Sequence, residues 1–289
     1  MSELNIDLLK AYRTRTYHLP PAPCLTTPAQ AVDFVNERGF IHFWPIKGID
    51  LPSLWVATAG DRPVPNEHDD PGHITWSWKD DALDKKVWYY GKVLRRRATL
   101  ISLKIAPYFY ALSENYGSPE EDYILAYEEG RMTIAAKLVY EALLRKGPLD
   151  TISLRREARL TSKESDSEFN RALESLQADF KILPVRVAEA GSWRYAFVYD
   201  IVARYYPEFP TQAREIGEAE ARRKLMELYF QSVGAAQVRD VEKIFGWPPE
   251  LVSRTLNRLV KDGSLKEGLQ HPCHKGNWIA LADLCSPQT

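Results

Sequence analysis

PPELVSRTLNRLVKDG, residues Pro248 to Gly263, decides how this sequence is read. Two prolines open it at a position where a helix has no use for the missing N–H, and Asp262-Gly263 suits its end. Between them Leu251, Val252, Thr255, Leu256, Leu259 and Val260 recur at helical spacing. Ser253, Arg254, Asn257, Arg258 and Lys261 fall on the opposite face. Arg and Asn are the side chains that read guanine and adenine edges in the major groove, whereas Lys and Ser favour phosphate. A charged outer face is also what any solvated helix shows, so the neighbours must be examined.

Upstream, EARRKLMELYFQSV and AAQVRDVEKIFGW predict two further helices; downstream, SLKEGLQHPCHKGNWIALADL predicts two β-rich runs around a glycine-containing tip. Helix, helix, helix, hairpin is the order of a winged helix, a helix-turn-helix with a β wing. The same order occurs earlier, from RMTIAAKLVYEALLRKG through DSEFNRALESLQADF to ILPVRVAEAGSWRYAFVYDIV. Leu138 and Leu225 in the first helices are 87 apart and Leu173 and Leu256 in the third helices are 83 apart, which one four-residue insertion within TSKESD reconciles. The earlier third helix shows Glu168, Asn170, Arg171 and Glu174, a face that would repel DNA. Its basic residues, Arg155, Arg156 and Arg159, sit on the second helix, where they could grip phosphates.

The 289 residues suffice for two or three small cores, and 45% hydrophobic with 27% charged residues is an ordinary balance for a globular protein. A net charge of −1 conceals segregation. KKVWYYGKVLRRRATLISLK (Lys85 to Lys104) holds seven bases and no acid, among them Lys85, Lys86, Lys92, Arg95, Arg96 and Arg97. SENYGSPEEDYILAYEEG (Ser113 to Gly130) holds six acids and no base. Cys24, Cys273 and Cys285 read as reduced thiols, and neither a signal peptide nor an apolar run of about 20 residues is present, so a cytoplasmic location without membrane contact is expected.

In the N-terminal third, Thr27 reads as the cap and Gly39 as the stop of a helix over Pro28 to Arg38. FIHFW follows, then a Pro52-initiated helix with Leu54, Trp55 and Val56, then PNEHDDPGHITWSW. In that stretch Asn66, Asp69 and Asp70 suit a turn closed by Pro71-Gly72, and ITWSW alternates as a strand does. Trp44, Trp76, Trp78 and Trp88, close in sequence to the basic run, are the candidate base-stacking rings; as core side chains they would be equally ordinary. His68 and His73 beside Asp69 or Asp70 are acceptable metal ligand types, but a single His-x4-His in a loop is not a defined coordination set, and no metal or cofactor is expected. HPCH at His271 to His274 lacks a partner pair and reads as a wing tip.

FVNERGFIHFWPIKGIDLPSLWVA, LRRRATLISL and the two winged-helix segments together resemble the AlkZ/YcaQ-type winged-helix DNA glycosylases over residues 26 to 283. The resemblance implies a mainly α fold with small β wings, in three tandem winged-helix units lining a concave surface for double-stranded DNA. The expected divisions are an extension at 1–25, a first unit at 26–130, a second at 131–210 and a third at 211–289. It implies DNA repair at alkylated or crosslinked bases, at the nucleoid. The family's Gln-x-Asp or Gln-x-Gln signature is replaced: His42 stands at its first position and Trp44 at its third. An Arg-Gly-Thr-x-His pattern survives as Arg97-Ala98-Thr99-Leu100-Ile101, without its histidine.

Cleaving an N-glycosidic bond develops a cationic sugar that a carboxylate or amide stabilises while placing a water. His42 could position that water, but Trp44 offers only its ring face. A replacement carboxylate would have to come from Asp50, Asp69 or Asp70. The open readings are a DNA-binding relative with altered or lost chemistry, an active glycosylase built on His42, a transcription regulator, and a protein-binding scaffold that uses the acidic segment.

Overall fold

The computed structural model describes residues 3–67, 69–191 and 194–285. In chain order the elements begin with α1 (Ile6–Thr16), α2 (Pro28–Arg38), β1 (Phe40–His42), α3 (Leu54–Ala59) and α4 (Ile74–Asp80). Then come β2 (Tyr89–Lys92), β3 (Ala98–Ile101), α5 (Ala106–Ala111), α6 (Pro119–Glu128) and α7 (Ile134–Lys146). Next are β4 (Leu149–Asp150), α8 (Thr151–Glu157), α9 (Asp166–Ala178), β5 (Ile182–Ala188), β6 (Ala196–Ile201), α10 (Val202–Tyr205) and α11 (Glu208–Arg214). The chain closes with α12 (Glu218–Val233), β7 (Ala235–Ala236), α13 (Val238–Phe245), α14 (Pro249–Lys261), β8 (Leu265–Gln270) and β9 (Asn277–Leu281). The fold is thus mainly helical with small antiparallel sheets. Among the described residues no helix is long and apolar enough to cross a membrane.

Residues 1–76 and 222–289 form one compact unit and residues 77–221 another. Each contains the same module of helix, short strand, helix, helix and hairpin. In the second unit it is α7, β4, α8, α9, β5 and β6, with sheet order β4-β6-β5; in the first it is α12, β7, α13, α14, β8 and β9, with order β7-β9-β8. The link from second to third helix runs over residues 158–165 in one and 246–248 in the other, where the sequence spacing places the insertion.

Helical periodicity builds both cores. In the second unit Ala136, Val139, Tyr140 and Leu143 of α7 meet Leu154 of α8 and Phe169, Ala172, Leu173 and Leu176 of α9, with Ile182, Tyr199 and Ile201 from the hairpin. A ring stack extends this core: Phe180 lies parallel to Tyr89 with centroids 4.5 Å apart and to Phe109 at 6.0 Å. Each aromatic buried in this way contributes on the order of 2–3 kcal/mol of transfer free energy.

In the first unit, residues set apart by sequence as an extension are part of the core. Leu4 and Leu9 pack with Ala235, Leu269, Trp278 and Ala280, and the Leu4 amide donates to the Gln270 carbonyl, adding an edge to β8. Arg13 donates to the carbonyls of Val233 and Ala235, which fixes α1 to the module. Apolar positions spaced along α1 made this legible only in part, because the partner strands lie near the other end of the sequence.

Local signals place α2 as read: Thr27 caps it in a capping box with Gln30, Pro28 opens it and Gly39 ends it at φ 79°. The next helix starts later than its proline, at Leu54, because Ser53 supplies the cap by accepting from the Val56 amide. ITWSW is not a strand. Asp70 accepts from the Gly72 amide, a 3-10 turn forms over Pro71–His73, and α4 continues from it. Thr75, Trp78 and Lys79 are buried at i, i+3, i+4 spacing, so burial on a helical period overrides the alternation of Ile74, Trp76 and Trp78.

Candidate nucleic-acid interface

Helix α14 divides as its sequence divides. Val252, Thr255, Leu256 and Leu259 are buried, and Ser253, Arg254, Asn257, Arg258 and Lys261 are all exposed. None of Arg254, Arg258 and Lys261 has an ion-pair partner among the described residues. Arg223, paired with Asp262 at 2.9 Å, holds the far end of the helix instead. The hairpin after it turns over residues 271–276. There His271 Nδ1 accepts from the amides of Cys273 and His274 while its ring lies 4.8 Å from Trp278. Burial and the neighbouring His274 push the His271 proton affinity down, which suits an imidazole whose Nδ1 is an acceptor. The HPCH stretch is thus a braced turn, and among the described residues no group of three His, Cys, Asp or Glu could hold a metal ion.

In the second unit the predicted cations split into two groups. Three are spent on the fold. Lys92 pairs with Glu174 at 2.8 Å, so Glu174 is not part of a free acidic face. Lys86 donates to the Tyr205 carbonyl at 2.7 Å and sits 4.3 Å over that ring. Arg155 bonds the carbonyls of Leu160 and Ser162 and the Asp166 carboxylate, closing the α8–α9 loop. In each case folding brings a partner near: a carboxylate for Lys92 and Arg155, a carbonyl and a ring for Lys86. Lys85, Arg95, Arg96, Arg97 and Arg156 remain exposed without an ion pair among the described residues. Arg95 to Arg97 form the turn between β2 and β3, braced by Thr99 Oγ, which accepts from the Leu94 amide and donates to the Arg97 carbonyl.

Positive φ recurs at cationic residues. Among the described residues seven non-glycine residues have positive φ: His18, Lys86, Arg95, Arg96, Arg159, Phe180 and Arg194. Five of the seven are Lys or Arg, residue types without the local side-chain bonding that eases Asn and Asp into this region. Such strain, of order 1–2 kcal/mol per residue, concentrates where a surface has a task.

The catalytic candidates lie in the first unit. His42 is 1% exposed, its amide bonded to the Pro52 carbonyl. Trp44 stands two residues on, packed with Phe43 at 5.2 Å and with Trp76 at 5.5 Å; Trp76 is 37% exposed and offers a ring to solvent. Trp78 and Trp88 do not: at 6% and 2% exposure they are core side chains, and the stacking role expected of them is withdrawn. Asp50 pairs with Arg13 at 3.1 Å. Asp70 is gripped by both terminal nitrogens of Arg62, at 3.0 and 2.6 Å, which holds its carboxyl below the usual carboxylate range. Asp69 is exposed, and His68 lies outside the described residues. Asp70 to His73 is therefore a capped, arginine-locked turn. Nothing in the sequence marked Arg62 as its lock, since an arginine eight residues away has no spacing signature.

These features define an α+β protein with a repeated three-helix and hairpin module and cationic surface elements in each unit. The chain belongs to the AlkZ-related family, whose profile matches residues 25–246. Its fold resembles that of the Streptomyces sahachiroi DNA glycosylase AlkZ, with a TM-score of 0.59 at 13% identity, over 97% of this chain and 71% of that one. No curated protein matches the sequence.

Proposed function

We propose that this member of the AlkZ-related family is a DNA-binding protein whose repeated module is a winged helix and whose base-excision motif is altered. The observation that carries the reading is the face of α14: five polar or cationic side chains, exposed, at helical spacing and without ion-pair partners among the described residues, on the third helix of the module. In a helix-turn-helix that helix enters the major groove, where Arg254 and Asn257 would meet base edges and Lys261 a phosphate. Within the second unit, Lys85, Arg95, Arg96, Arg97 and Arg156 are suited to backbone contacts of that unit's own. The S. sahachiroi relative is a DNA glycosylase by name, which makes damaged double-stranded DNA the natural partner to test.

Chemistry at the family's position would need a group that can stabilise a sugar cation, and Trp44 replaces it with a ring. Of the three candidate carboxylates, Asp50 and Asp70 are engaged by Arg13 and Arg62, and Asp69 is exposed. Binding without excision is thus the first reading. A second, excision through His42, is favoured by one observation: the strand bearing His42 runs directly into the Phe43, Trp44 and Trp76 cluster, a platform on which an extruded base could stack.

Incubating the purified chain with alkylated and crosslinked duplexes, then cleaving abasic sites, separates the two. Retention of the duplexes with no abasic product supports the first reading. Abasic product that disappears in His42→Ala supports the second. Failure to bind any duplex at low salt ends both.

A further inference from the structure

We propose that Arg145, Arg156 and Arg159 form a clamp for a phosphate group, in a cleft of the second unit. The cleft encloses about 470 Å³, and Leu138, Glu157 and Ala158 complete its lining. Arg145 comes from the last turn of α7, Arg156 from the last turn of α8, and Arg159 from the residue that follows the α8 cap. Arg156 and Arg159 have no ion-pair partner among the described residues, and Arg145 has only Glu141 at 3.9 Å. Three guanidiniums against Glu157 in the lining and Glu141 beside Arg145 leave the cleft cationic. With no aromatic or amide side chain in the lining, it would recognise charge and oxygen geometry rather than a base.

Arg159 carries the inference. It closes α8 at φ 57°, its amide bonded to the Arg156 carbonyl and the next amide, of Leu160, to the Arg155 carbonyl. This is the helix-ending pattern whose left-handed position belongs to glycine. The other module obeys that preference: the chain leaves α13 through Gly246 at φ 70° and α14 through Gly263 at φ 81°. The module of the second unit departs from it twice. Phe180 leaves α9 at φ 53°, but its ring is 2% exposed and stacked on Tyr89, so burial offsets the strain. Arg159 is exposed and has no such compensation. A strained cation kept at a glycine position, beside two further arginines in one cleft, has the arrangement of an anion site.

The proposal takes its source of phosphate, the nucleic-acid backbone, from the DNA-binding reading, while its chemistry stands without it. The test uses the full chain, Arg159→Gly and Arg156→Gln, titrated with a labelled random-sequence duplex over a range of salt. Arg159→Gly is expected to bind roughly ten-fold more weakly and to flatten the salt dependence by about one phosphate contact. The same variant is expected to melt about 2–4 °C higher, because the left-handed strain is relieved; a variant that lost binding by unfolding could not. Arg156→Gln should repeat the binding loss without the gain in Tm. Unchanged affinity and salt slope in both variants would overturn the clamp and leave DNA binding standing. If the parent chain binds no duplex, the DNA reading falls, and inorganic phosphate decides the clamp. Stabilisation of the parent over chloride at equal ionic strength, absent from Arg159→Gly, supports a free-phosphate site; equal responses overturn it.

Discussion

Lys79 and Asp80 form a 2.6 Å ion pair in which the lysine is 2% exposed and the carboxylate 19%. The ammonium also donates to the Tyr195 hydroxyl at 3.2 Å and lies 4.6 Å over the Phe197 ring, while Tyr195 donates back to Asp80 at 3.1 Å. Burial pushes the Lys79 proton affinity down, with Asp80 opposing it. Because the folded chain releases this proton more readily than the unfolded one, stability should rise with pH from the depressed value up to the ordinary lysine value near about 10.4. Below that window the cost of the buried charge is fully present. Asp80→Asn strands the ammonium and should cost about 3 kcal/mol; Lys79→Met leaves a carboxylate that water and Tyr195 still serve and should cost about 1 kcal/mol. Denaturant unfolding between neutral and alkaline pH measures both, and an alkaline rise that persists in Lys79→Met would refute the assignment.

Arg254 and Arg258 are solvent-exposed and without an ion pair among the described residues, so their loss should leave unfolding within about 0.5 kcal/mol of the parent. Each alanine variant is expected to weaken duplex binding by about 1–3 kcal/mol. The two roles differ in pattern: a base contact relaxes preference at one position of the site, whereas a phosphate contact weakens all sequences alike. Anisotropy titrations against a panel of single-base variants distinguish them. Affinity equal to the parent in both variants would remove α14 from the interface.

The Arg62–Asp70 pair makes the loop before α4 acid-sensitive. Asp70 holds its proton less tightly when folded, so its contribution is complete above the ordinary carboxylate range and is lost as pH falls through the depressed value. Arg62 also lies 4.9 Å over Trp55, whose indole N–H donates to the Arg62 carbonyl at 3.0 Å, so release of the lock should be visible in tryptophan emission. Asp70→Asn is expected to abolish the low-pH step in that emission. Arg62→Gln should do the same, which a catalytic role for Asp70 alone would not require.

What the sequence disclosed and what it hid differ in the range of the interactions. Thr27, Pro28 and Gly39 bound α2, and the two faces of α14 separate, because caps and helical period act within a few residues. The order of elements in both modules was legible for the same reason. The conformation of Ile74 to Trp78 was not, since alternation and helical period share residues there and only burial of Thr75 and Lys79 decides between them. Cations were the least legible feature. Nothing local separates Arg155, paired with Asp166, from Arg156, which has no ion pair among the described residues, or Lys92, held by Glu174, from Arg95. The partners of Arg62 and Lys79 are likewise set by folding.

Gly234, between α12 and β7, tests whether the first 25 residues belong to the fold. Its φ is 76°, and a Cβ there would stand 2.8 Å from Leu9 Cδ1 and 3.0 Å from both Tyr12 Cδ1 and Leu284 Cδ1. Two of those three neighbours lie on α1, which Tyr12 also ties down by donating to the Gln231 carbonyl at 2.6 Å. Gly234→Ala therefore adds a left-handed conformation of order 1 kcal/mol to an overpacking cost of about 1–3 kcal/mol. Deleting residues 1–17 removes the steric neighbours on α1 but uncovers Ala235, Leu269 and Trp278, so it should destabilise the parent by several kcal/mol while shrinking the penalty of Gly234→Ala toward the backbone part alone. A double-mutant comparison by chemical unfolding reads this directly. Additive losses would mean that α1 does not pack on the module through Leu9 and Tyr12.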